Sequence, residues 1–333
     1  MYAAARALLF ALPPETAHDL TLAGLRVASQ LRLLRAPAAL PGTSVEVMGL
    51  TFPNRVGLAA GLDKDGVCLN AWGALGFGFV EVGTVTPRPQ PGNPKPRLFR
   101  LPQAEAIINR MGFNNDGVDA LAERLRHHRF PGRIGVNIGK NADTPLEQAL
   151  SDYQTGMRAV YALADYIAVN ISSPNTPGLR SLQGADHLSP LLDGLCAERQ
   201  ALREQHGRYV PLAVKLAPDL SEAEIEACAK TIAATDLDAV IATNTTLDRT
   251  AVNRLRYAEE AGGLSGAPLR EKSTEFIRHL RSALPDRVSL IGVGGISSAE
   301  DAKERIGAGA NLVQVYTGLI YRGPSLIRDL VGA

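Results

Sequence analysis

From residue 56 onward the chain repeats one pattern, in which a short apolar run is followed by polar or glycine-rich residues and then by a helical stretch. Several of these runs are almost continuously apolar, which is typical of parallel strands buried on both faces of a sheet. The pattern predicts eight strands, at residues 56–60, 79–83, 134–138, 166–171, 212–216, 239–243, 289–293 and 312–316. Strands alternating with helices over residues 41–333 predict an α/β fold, a (β/α)8 TIM barrel of about 250 residues or more. A doubly wound sheet is the alternative, but no G-x-G-x-x-G motif follows the first strand.

Residues 1–40 carry a different pattern and predict a small N-terminal helical extension, with Pro13 and Pro14 separating two helices. The second helix has more apolar positions than one packed face needs. One stripe is formed by Leu20, Ala23, Val27, Leu31 and Leu34, and Leu22, Leu25 and Leu33 lie off it. The extension therefore either packs as a simple helical pair on one barrel end or has a second face for lipid or a lipophilic substrate. Its arginines (Arg6, Arg26, Arg32 and Arg35) outnumber its acids (Glu15 and Asp19), which favours an anionic bilayer surface.

Composition excludes several classes of protein. The 35 Lys and Arg residues nearly balance 34 Asp and Glu residues, so no concentrated positive field favours nucleic acid as a partner. The three cysteines form no C-x-x-C pair, so we expect no metal site, and their odd number suits a reducing compartment. No apolar run reaches the roughly 18 residues of a membrane-spanning helix. Arg6 and the two prolines argue against a secretory signal.

Polar residues recur at the carboxyl ends of the predicted strands. Asn137, Asn170, Lys215 and Asn244 lie at or near the ends of four of them. A polar group in so apolar a run costs a few kcal/mol unless it is paired. They are either satisfied core polar groups or, as we predict, contacts to one shared polar ligand at the face where such barrels build their sites.

Two further features indicate what kind of ligand binds at this face. Gly294 and Gly295 end the seventh strand and Tyr316-Thr317-Gly318 ends the eighth, the usual location of a phosphate site in this barrel. Lys215 has three open roles: a Schiff base, a partner for a carboxylate, or a cation beside an electron-rich ring. The long connections 84–133 and 172–184 leave from the same end of the barrel and are expected to be functional.

The segment 170–180, Asn-Ile-Ser-Ser-Pro-Asn-Thr-Pro-Gly-Leu-Arg, carries a specific resemblance. Together with the motifs at 59–66, 83–93, 109–115, 242–246 and 262–266, it resembles the dihydroorotate dehydrogenases of the membrane-associated, quinone-reducing class (class 2), bacterial type. The resemblance covers almost the whole chain. It implies an FMN-containing barrel that oxidises (S)-dihydroorotate to orotate in pyrimidine (UMP) biosynthesis and is re-oxidised by ubiquinone or menaquinone.

The resemblance also implies a role for Ser173 as the catalytic base, which takes the proton next to a carbonyl while hydride passes to the flavin. Cytosolic relatives have Cys at this position, so Ser173 favours the quinone-linked class. A lone serine is a weak base and needs a proton acceptor or relay, and the sequence offers no adjacent histidine.

The remaining site residues follow from the same resemblance. The expected FMN contacts are Ala60, Gly61, Leu62, Asp63, Lys64, Thr84, Asn137, Asn170, Lys215, Thr243, Gly266, Gly295, Tyr316 and Thr317. The expected substrate contacts are Lys64, Asn109, Arg110, Met111, Gly112, Phe113, Asn170, Asn175, Asn244 and Thr245. Amide side chains suit this substrate because they both donate and accept hydrogen bonds.

The resemblance assigns the N-terminal pair to the mouth of a quinone tunnel, with His18, Arg100 and Tyr316 on the quinone side. From the helix pattern alone, His18 is equally a solvated helix residue. We expect peripheral contact of residues 1–36 with the cytoplasmic side of the cell inner membrane, since no presequence precedes the pair.

Two alternatives remain open at the level of sequence. One is a cytosolic-type flavin dehydrogenase that passes electrons to fumarate or to a partner subunit. The other is a non-catalytic barrel that binds FMN or phosphate, since a fold alone does not specify chemistry. The intact series favours an enzyme; its members are Lys64, Asn170, Ser173, Asn175, Lys215 and Asn244.

Overall fold

The computed structural model describes residues 2–34, 40 and 42–332. In these ranges the strands are β1 (Val45–Val47), β2 (Leu50–Phe52), β3 (Val56–Leu58), β4 (Phe79–Val85), β5 (Leu98–Leu101), β6 (Ala106–Asn109), β7 (Arg133–Ile138), β8 (Tyr166–Asn170), β9 (Leu212–Leu216), β10 (Ala239–Ala242), β11 (Gly263–Gly266), β12 (Ser289–Val293) and β13 (Leu312–Val315). The helices are α1 (Tyr2–Ala11), α2 (Pro14–Gln30), α3 (Leu69–Ala74), α4 (Val118–Arg126), α5 (Ala149–Val160), α6 (Ala185–His206), α7 (Glu222–Ala233), α8 (Arg270–Ala283), α9 (Ala299–Gly307), α10 (Thr317–Arg322) and α11 (Ser325–Val331).

Eight of the strands close into a parallel barrel, in the order β3, β4, β7, β8, β9, β10, β12 and β13. These are the eight strands expected from the apolar runs, so the (β/α)8 prediction is confirmed. Every residue of β4, β8, β9, β10 and β13 is buried, because side chains on one face fill the barrel and those on the other meet the surrounding helices. All eight carboxyl ends consequently meet at one mouth of the barrel.

The opposite mouth is closed by the short hairpin of β1 and β2, which the apolar pattern did not indicate. Met48 and Gly49 both have positive φ at its turn, the conformation that two-residue hairpins require. Phe52 lies fully buried against Phe79 in an edge-to-face arrangement, with ring centroids 5.3 Å apart. The amino end of the barrel is therefore packed solid.

A second sheet, also missed from the sequence, lies over the carboxyl-end mouth. Strands β5, β6 and β11 form it, and all its pairings are antiparallel. β11 has the sequence Gly-Leu-Ser-Gly, which carries no strand signal, and a Cβ at Gly263 would lie 1.8 Å from Thr245 Oγ1. Glycine is needed here because this strand passes so close to the loop after β10.

The helical extension forms the expected helical pair, with α1 ending before Pro13 and α2 beginning at Pro14. Polar contacts join it to the barrel: Tyr2 Oη donates to the Ile320 carbonyl (2.6 Å), and the buried Arg97 pairs with Glu15 at 2.7 Å. Leu22 and Leu25 pack towards the barrel core, whereas Leu20, Val27 and Leu31 are exposed. Most of the predicted apolar stripe thus faces outward, although its last member, Leu34, packs against the core.

The predicted domain boundary falls between residues 40 and 41, next to residues 35–39 and 41, which lie outside the described ranges. Arg35, a member of the predicted basic set, also lies outside them. Within those ranges no helix combines the length and the apolar character needed to cross a bilayer.

Candidate active site

A cavity of about 1000 Å³ opens at the carboxyl-end mouth of the barrel. It brings together the predicted base, Ser173, and most of the predicted contact residues. From the expected FMN set it is lined by Ala60, Gly61, Lys64, Thr84, Asn170, Lys215, Thr243, Gly266, Gly295, Tyr316 and Thr317. From the expected substrate set it is also lined by Asn109, Met111, Gly112, Phe113, Asn175, Asn244 and Thr245.

Four of the predicted residues lie away from the lining of this cavity. Leu62 lines a different cavity, beneath the helical pair. Arg110 reaches Glu260 (2.5 Å) and the Pro96 carbonyl (3.0 Å), so its guanidinium holds loops together. Asn137 lies one layer below the cavity, where it accepts a hydrogen bond from Thr84.

Asp63 is the fourth. Its buried carboxylate accepts three hydrogen bonds of 2.8 Å, from the backbone N–H groups of Val67 and Cys68 and from Trp72 Nε1. Burial raises the pKa of Asp63, although these donors act in the opposite direction. The side chain therefore anchors α3 and fixes the turn that presents Lys64 to the cavity.

Lys64 provides a positive charge at the cavity wall. Burial lowers its pKa to about 8, and the nearby carboxylate of Asp65 offsets part of this effect. The ammonium group is therefore protonated at neutral pH and suited to an anionic ligand.

Lys215 lies deeper and is almost completely buried. Its Nζ is 3.9 Å from Glu81 Oε1, so a carboxylate partner, one of its three open roles, is present. Burial lowers the pKa of Lys215, and the charge of Glu81 opposes that shift. Glu81 was missed in the sequence, although a charged residue inside the apolar run 79–83 was a usable signal.

The loop that carries Ser173 is fixed from both sides. Ser173 Oγ accepts the Asn175 backbone N–H at 3.2 Å, which favours negative charge developing on that oxygen. Arg180 donates to the Ser172 carbonyl (3.1 Å) and pairs with Asp219 (2.9 Å). Asn175 Nδ2 in turn donates to Asn109 Oδ1 at 3.1 Å, so the loop also aligns two of the substrate amides.

The far end of the cavity is a glycine cradle. Gly294 and Gly295 have φ of +112° and +72°, and a Cβ at Gly295 would lie 2.4 Å from Arg270 Cα. The fully buried Arg305 donates to the Gly294 carbonyl at 2.8 Å. Because the C=O and N–H of one peptide point in opposite directions, this bond turns the Gly295 N–H away from Arg305. Burial lowers the pKa of Arg305 to about 10, which leaves it charged.

The polar groups of the cavity include buried atoms that a hydrogen-bonding ligand could satisfy. Two of the buried side-chain atoms without a hydrogen-bond partner in the described residues are Thr243 Oγ1 and Gln314 Oε1, and both residues line the cavity. Buried polar atoms are rarely left unpaired without a reason. Gln314, like Glu81, interrupts an apolar run and was passed over in the sequence. Nothing in the sequence marked Arg305 as part of the site, because arginine is common on the outer helices of a barrel.

A second cavity, of about 1120 Å³ and largely apolar, lies between the helical pair and the barrel. All three predicted quinone-side residues line it: His18, Arg100 and Tyr316. Tyr316 also lines the first cavity, so its ring separates the two. Burial raises the pKa of Tyr316 to about 12, which keeps its hydroxyl protonated.

His18 and Arg100 differ in what they offer to a ligand. Burial and the charge of Lys64 lower the pKa of His18 to about 4, so the imidazole is neutral at pH 7, and this half-buried residue lines the cavity. The Arg100 guanidinium donates to the carbonyls of Leu9 and Leu12 and lies 4.5 Å over the Phe10 ring. Arg100 thus binds the carboxyl end of α1 and forms the wall of the cavity.

Across the ranges that the structure describes, no cluster of three His, Cys, Asp or Glu side chains is arranged to hold a metal ion.

Residues 43–332 match the family model described as dihydroorotate dehydrogenase. The chain belongs to the dihydroorotate dehydrogenase family. Relatives named dihydroorotate dehydrogenase (quinone) include those of Ectopseudomonas mendocina (57% identity, 100% of this chain and 98% of the relative) and Azotobacter vinelandii (58%, 100% and 96%). A crystal structure of DHODH from Eimeria tenella in complex with ferulenol has a TM-score of 0.89 at 40% identity, covering 98% of this chain and 93% of that chain. The family is flavin-dependent, and its quinone-type members are membrane-associated.

We predict that Asp63→Asn lowers the free energy of unfolding by about 2–4 kcal/mol, because the new amide N–H₂ would face N–H donors in a buried site. The flavin content of the folded fraction is expected to stay unchanged. Asp65→Asn is the matched control, since Asp65 accepts one backbone hydrogen bond at a more exposed position. Denaturant unfolding of both variants measures the difference. Equal stability of the two variants, or selective loss of flavin from Asp63→Asn, would contradict this assignment.

Proposed function

We propose that this chain oxidises dihydroorotate to orotate in pyrimidine biosynthesis, with FMN as the bound flavin and a membrane quinone as the final electron acceptor. One observation carries the proposal: a polar cavity lined by Ser173, two lysines and four asparagines shares the Tyr316 wall with an apolar cavity under the helical pair. This arrangement supports two half-reactions at separate sites with electron transfer between them.

The polar cavity supports the first half-reaction. The bound flavin supplies the hydride acceptor. Ser173 Oγ takes up the proton from the carbon next to the substrate carbonyl while its own hydroxyl proton passes to water. The Asn175 N–H stabilises the partial negative charge on that oxygen as the hydroxyl proton leaves. Lys64 pairs with the substrate carboxylate, and Asn109, Asn170, Asn175 and Asn244 hold the ring by its carbonyl and N–H groups.

FMN is favoured among flavins by the glycine cradle at Gly294 and Gly295, which suits a single terminal phosphate. Thr243 and Gln314 would satisfy their unpaired oxygens on the ring or ribityl chain. Lys215 would lie beside the ring and favour its anionic reduced form electrostatically.

The apolar cavity supports the second half-reaction, with ubiquinone or menaquinone entering beside His18 and Tyr316. Of the ten large exposed hydrophobic residues in the described ranges, six lie on the helical pair or directly after it: Leu8, Leu12, Leu20, Val27, Leu31 and Leu33. Such a surface supports peripheral binding of residues 1–36 to the cytoplasmic face of the inner membrane. We accordingly divide the chain into a membrane segment, 1–40, and an FMN barrel, 41–333.

The proposal is tested by mixing the purified protein anaerobically with dihydroorotate and following the visible flavin band. We expect bleaching, with recovery on addition of a ubiquinone analogue but not of fumarate or NAD. Recovery with fumarate would favour the cytosolic-type alternative. A flavin that does not bleach would favour the non-catalytic barrel. A protein that stays colourless with added FMN would overturn the assignment of FMN as the cofactor.

We predict that Ser173→Ala slows flavin reduction by dihydroorotate by about 10²–10⁴-fold, the usual contribution of a general base. Bound FMN should remain, because Ser173 supplies only a small part of the cavity wall. Ser181→Ala, an exposed serine in the same loop, serves as the control and should reduce normally. Stopped-flow absorbance gives both rates, and near-normal reduction of Ser173→Ala would remove this residue from the role.

We predict that orotate affinity is constant below pH 8 and falls as the pH rises further, by up to about tenfold per pH unit. The sign follows from Lys64, whose pKa of about 8 means that the cation is lost above that pH. Lys64→Arg should keep binding flat to higher pH, whereas Lys272→Arg, at an ion pair on Asp219, should leave the wild-type profile unchanged. Spectral titrations with orotate measure the pH dependence of its affinity. A decline in affinity above pH 8 that is the same in Lys64→Arg as in the parent would contradict the prediction.

We predict that Leu20→Ser weakens binding to phosphatidylglycerol-containing vesicles about tenfold, the expected effect of removing one partly inserted leucine. Leu247→Ser is a matched control on the barrel, since Leu20 is 54% exposed and Leu247 is 51% exposed. Co-sedimentation with vesicles separates the two. Equal binding of both variants would contradict insertion of the outward stripe.

A further inference from the structure

Glu81 lies inside the barrel on β4 and is fully buried. Oε1 accepts from Asn137 Nδ2 (2.8 Å), and Oε2 accepts from Tyr166 Oη (2.9 Å) and Gln314 Nε2 (2.8 Å). Lys215 Nζ lies 3.9 Å from Oε1. These partners come from four other strands, β7, β8, β9 and β13, so one carboxylate connects most of the barrel floor.

An ionised carboxylate can only accept hydrogen bonds, so Glu81 imposes a direction on the groups that contact it. The amide nitrogen of Asn137 faces Glu81, which leaves Asn137 Oδ1 to accept from Thr84 Oγ1 at 2.5 Å. Because the Thr84 hydroxyl already donates its hydrogen to Asn137, its oxygen acts as an acceptor towards Asn170 Nδ2 at 2.9 Å. The chain of hydrogen bonds thus runs in one direction from the cavity to the buried charge.

The direction reaches the substrate side of the cavity. With its nitrogen facing Thr84, Asn170 presents Oδ1 to Ser172 Oγ (3.2 Å) and to Asn244 Nδ2 (3.4 Å). Asn244 Oδ1 then accepts the Thr245 backbone N–H at 2.8 Å. A backbone donor at this end and a carboxylate at the other require the same orientation, so every amide between them is fixed.

A second branch runs through Gln314. Its nitrogen donates to Glu81 and also lies 3.2 Å from Tyr166 Oη. The opposite atom, Gln314 Oε1, is one of the buried acceptors that have no partner in the described residues. The same carboxylate therefore also determines which atom of Gln314 is left for a ligand.

We propose that Glu81 is a positioning residue: its buried negative charge sets the direction of the Asn137–Thr84–Asn170 chain and of Gln314, and so fixes which polar atoms the cavity presents to flavin and substrate. The inference rests on the proposed function for the identity of those ligands, whereas the direction itself rests only on the hydrogen bonds. An amide at position 81 can satisfy one branch but not both. Whichever way it faces, a cavity-lining group loses its fixed orientation.

The test compares Glu81→Gln with the double variant Glu81→Gln/Asn137→Asp. In the single variant one buried hydrogen bond is left unmade, and we expect orotate affinity and kcat/KM for dihydroorotate each to fall about tenfold with FMN still bound. In the double variant the new amide at position 81 donates from its nitrogen to the new carboxylate at position 137, which still accepts from Thr84. The amide oxygen at position 81 then accepts from Tyr166 and Gln314. The direction is restored, so both constants should return to within about threefold of the parent.

Rescue by a second substitution is not expected if Glu81 merely fills space. Glu81→Gln with the parent's orotate affinity and kcat/KM, or a double variant no better than the single one, would overturn the inference. If Glu81→Gln does not accumulate as folded protein, Thr84→Val interrupts the chain without removing the charge and should show the same tenfold loss; unchanged orotate affinity would overturn the inference. A parent protein that binds no orotate would instead overturn the proposed function.

Discussion

A carboxylate sealed inside a closed barrel has to be compensated by its neighbours, and Glu81 meets this constraint with donors from several strands. Its fully buried position separates it from bulk solvent, so the neighbouring side chains have to supply its hydrogen bonds. The polar groups at the carboxyl-end mouth are therefore oriented by an acceptor that lies beneath the cavity and outside its lining. Preorganised dipoles of this kind make the largest single contribution to the rate enhancement of many enzymes, because they need no rearrangement during the reaction.

The helical pair adds a second environment next to the first. Arg97, Arg100 and Tyr2 tie it to the barrel by ion pairs and backbone carbonyls, and the space left between the two is largely apolar. Tyr316 is the shared wall. A polar substrate and a lipophilic acceptor can thus occupy adjacent sites without meeting, which is the physical basis for the two separate half-reactions that we propose.

Much of this architecture was predictable from the sequence. Buried parallel strands are nearly pure apolar runs, so all eight barrel strands were identified, and the lining residues Asn170, Lys215 and Asn244 stood out at the ends of those runs. The overlying sheet was not predictable, because β11 is glycine-rich and its pairing with β6 is a long-range contact. Asp63 shows a different limit: its motif is next to the cavity, but its carboxylate serves α3. Glu81 and Gln314 act through other side chains, and only the packed barrel shows those partners.

The central claim is that flavin reduction and flavin re-oxidation take place in two cavities divided by Tyr316. Thr21 lines only the apolar cavity, and Thr21→Trp would fill part of it. Double-mixing stopped flow of this variant measures both half-reactions on one protein. The account predicts an unchanged rate of reduction by dihydroorotate and a re-oxidation by a ubiquinone analogue that is slower by about tenfold or more. Equal slowing of both steps, or an unchanged re-oxidation rate, would contradict it.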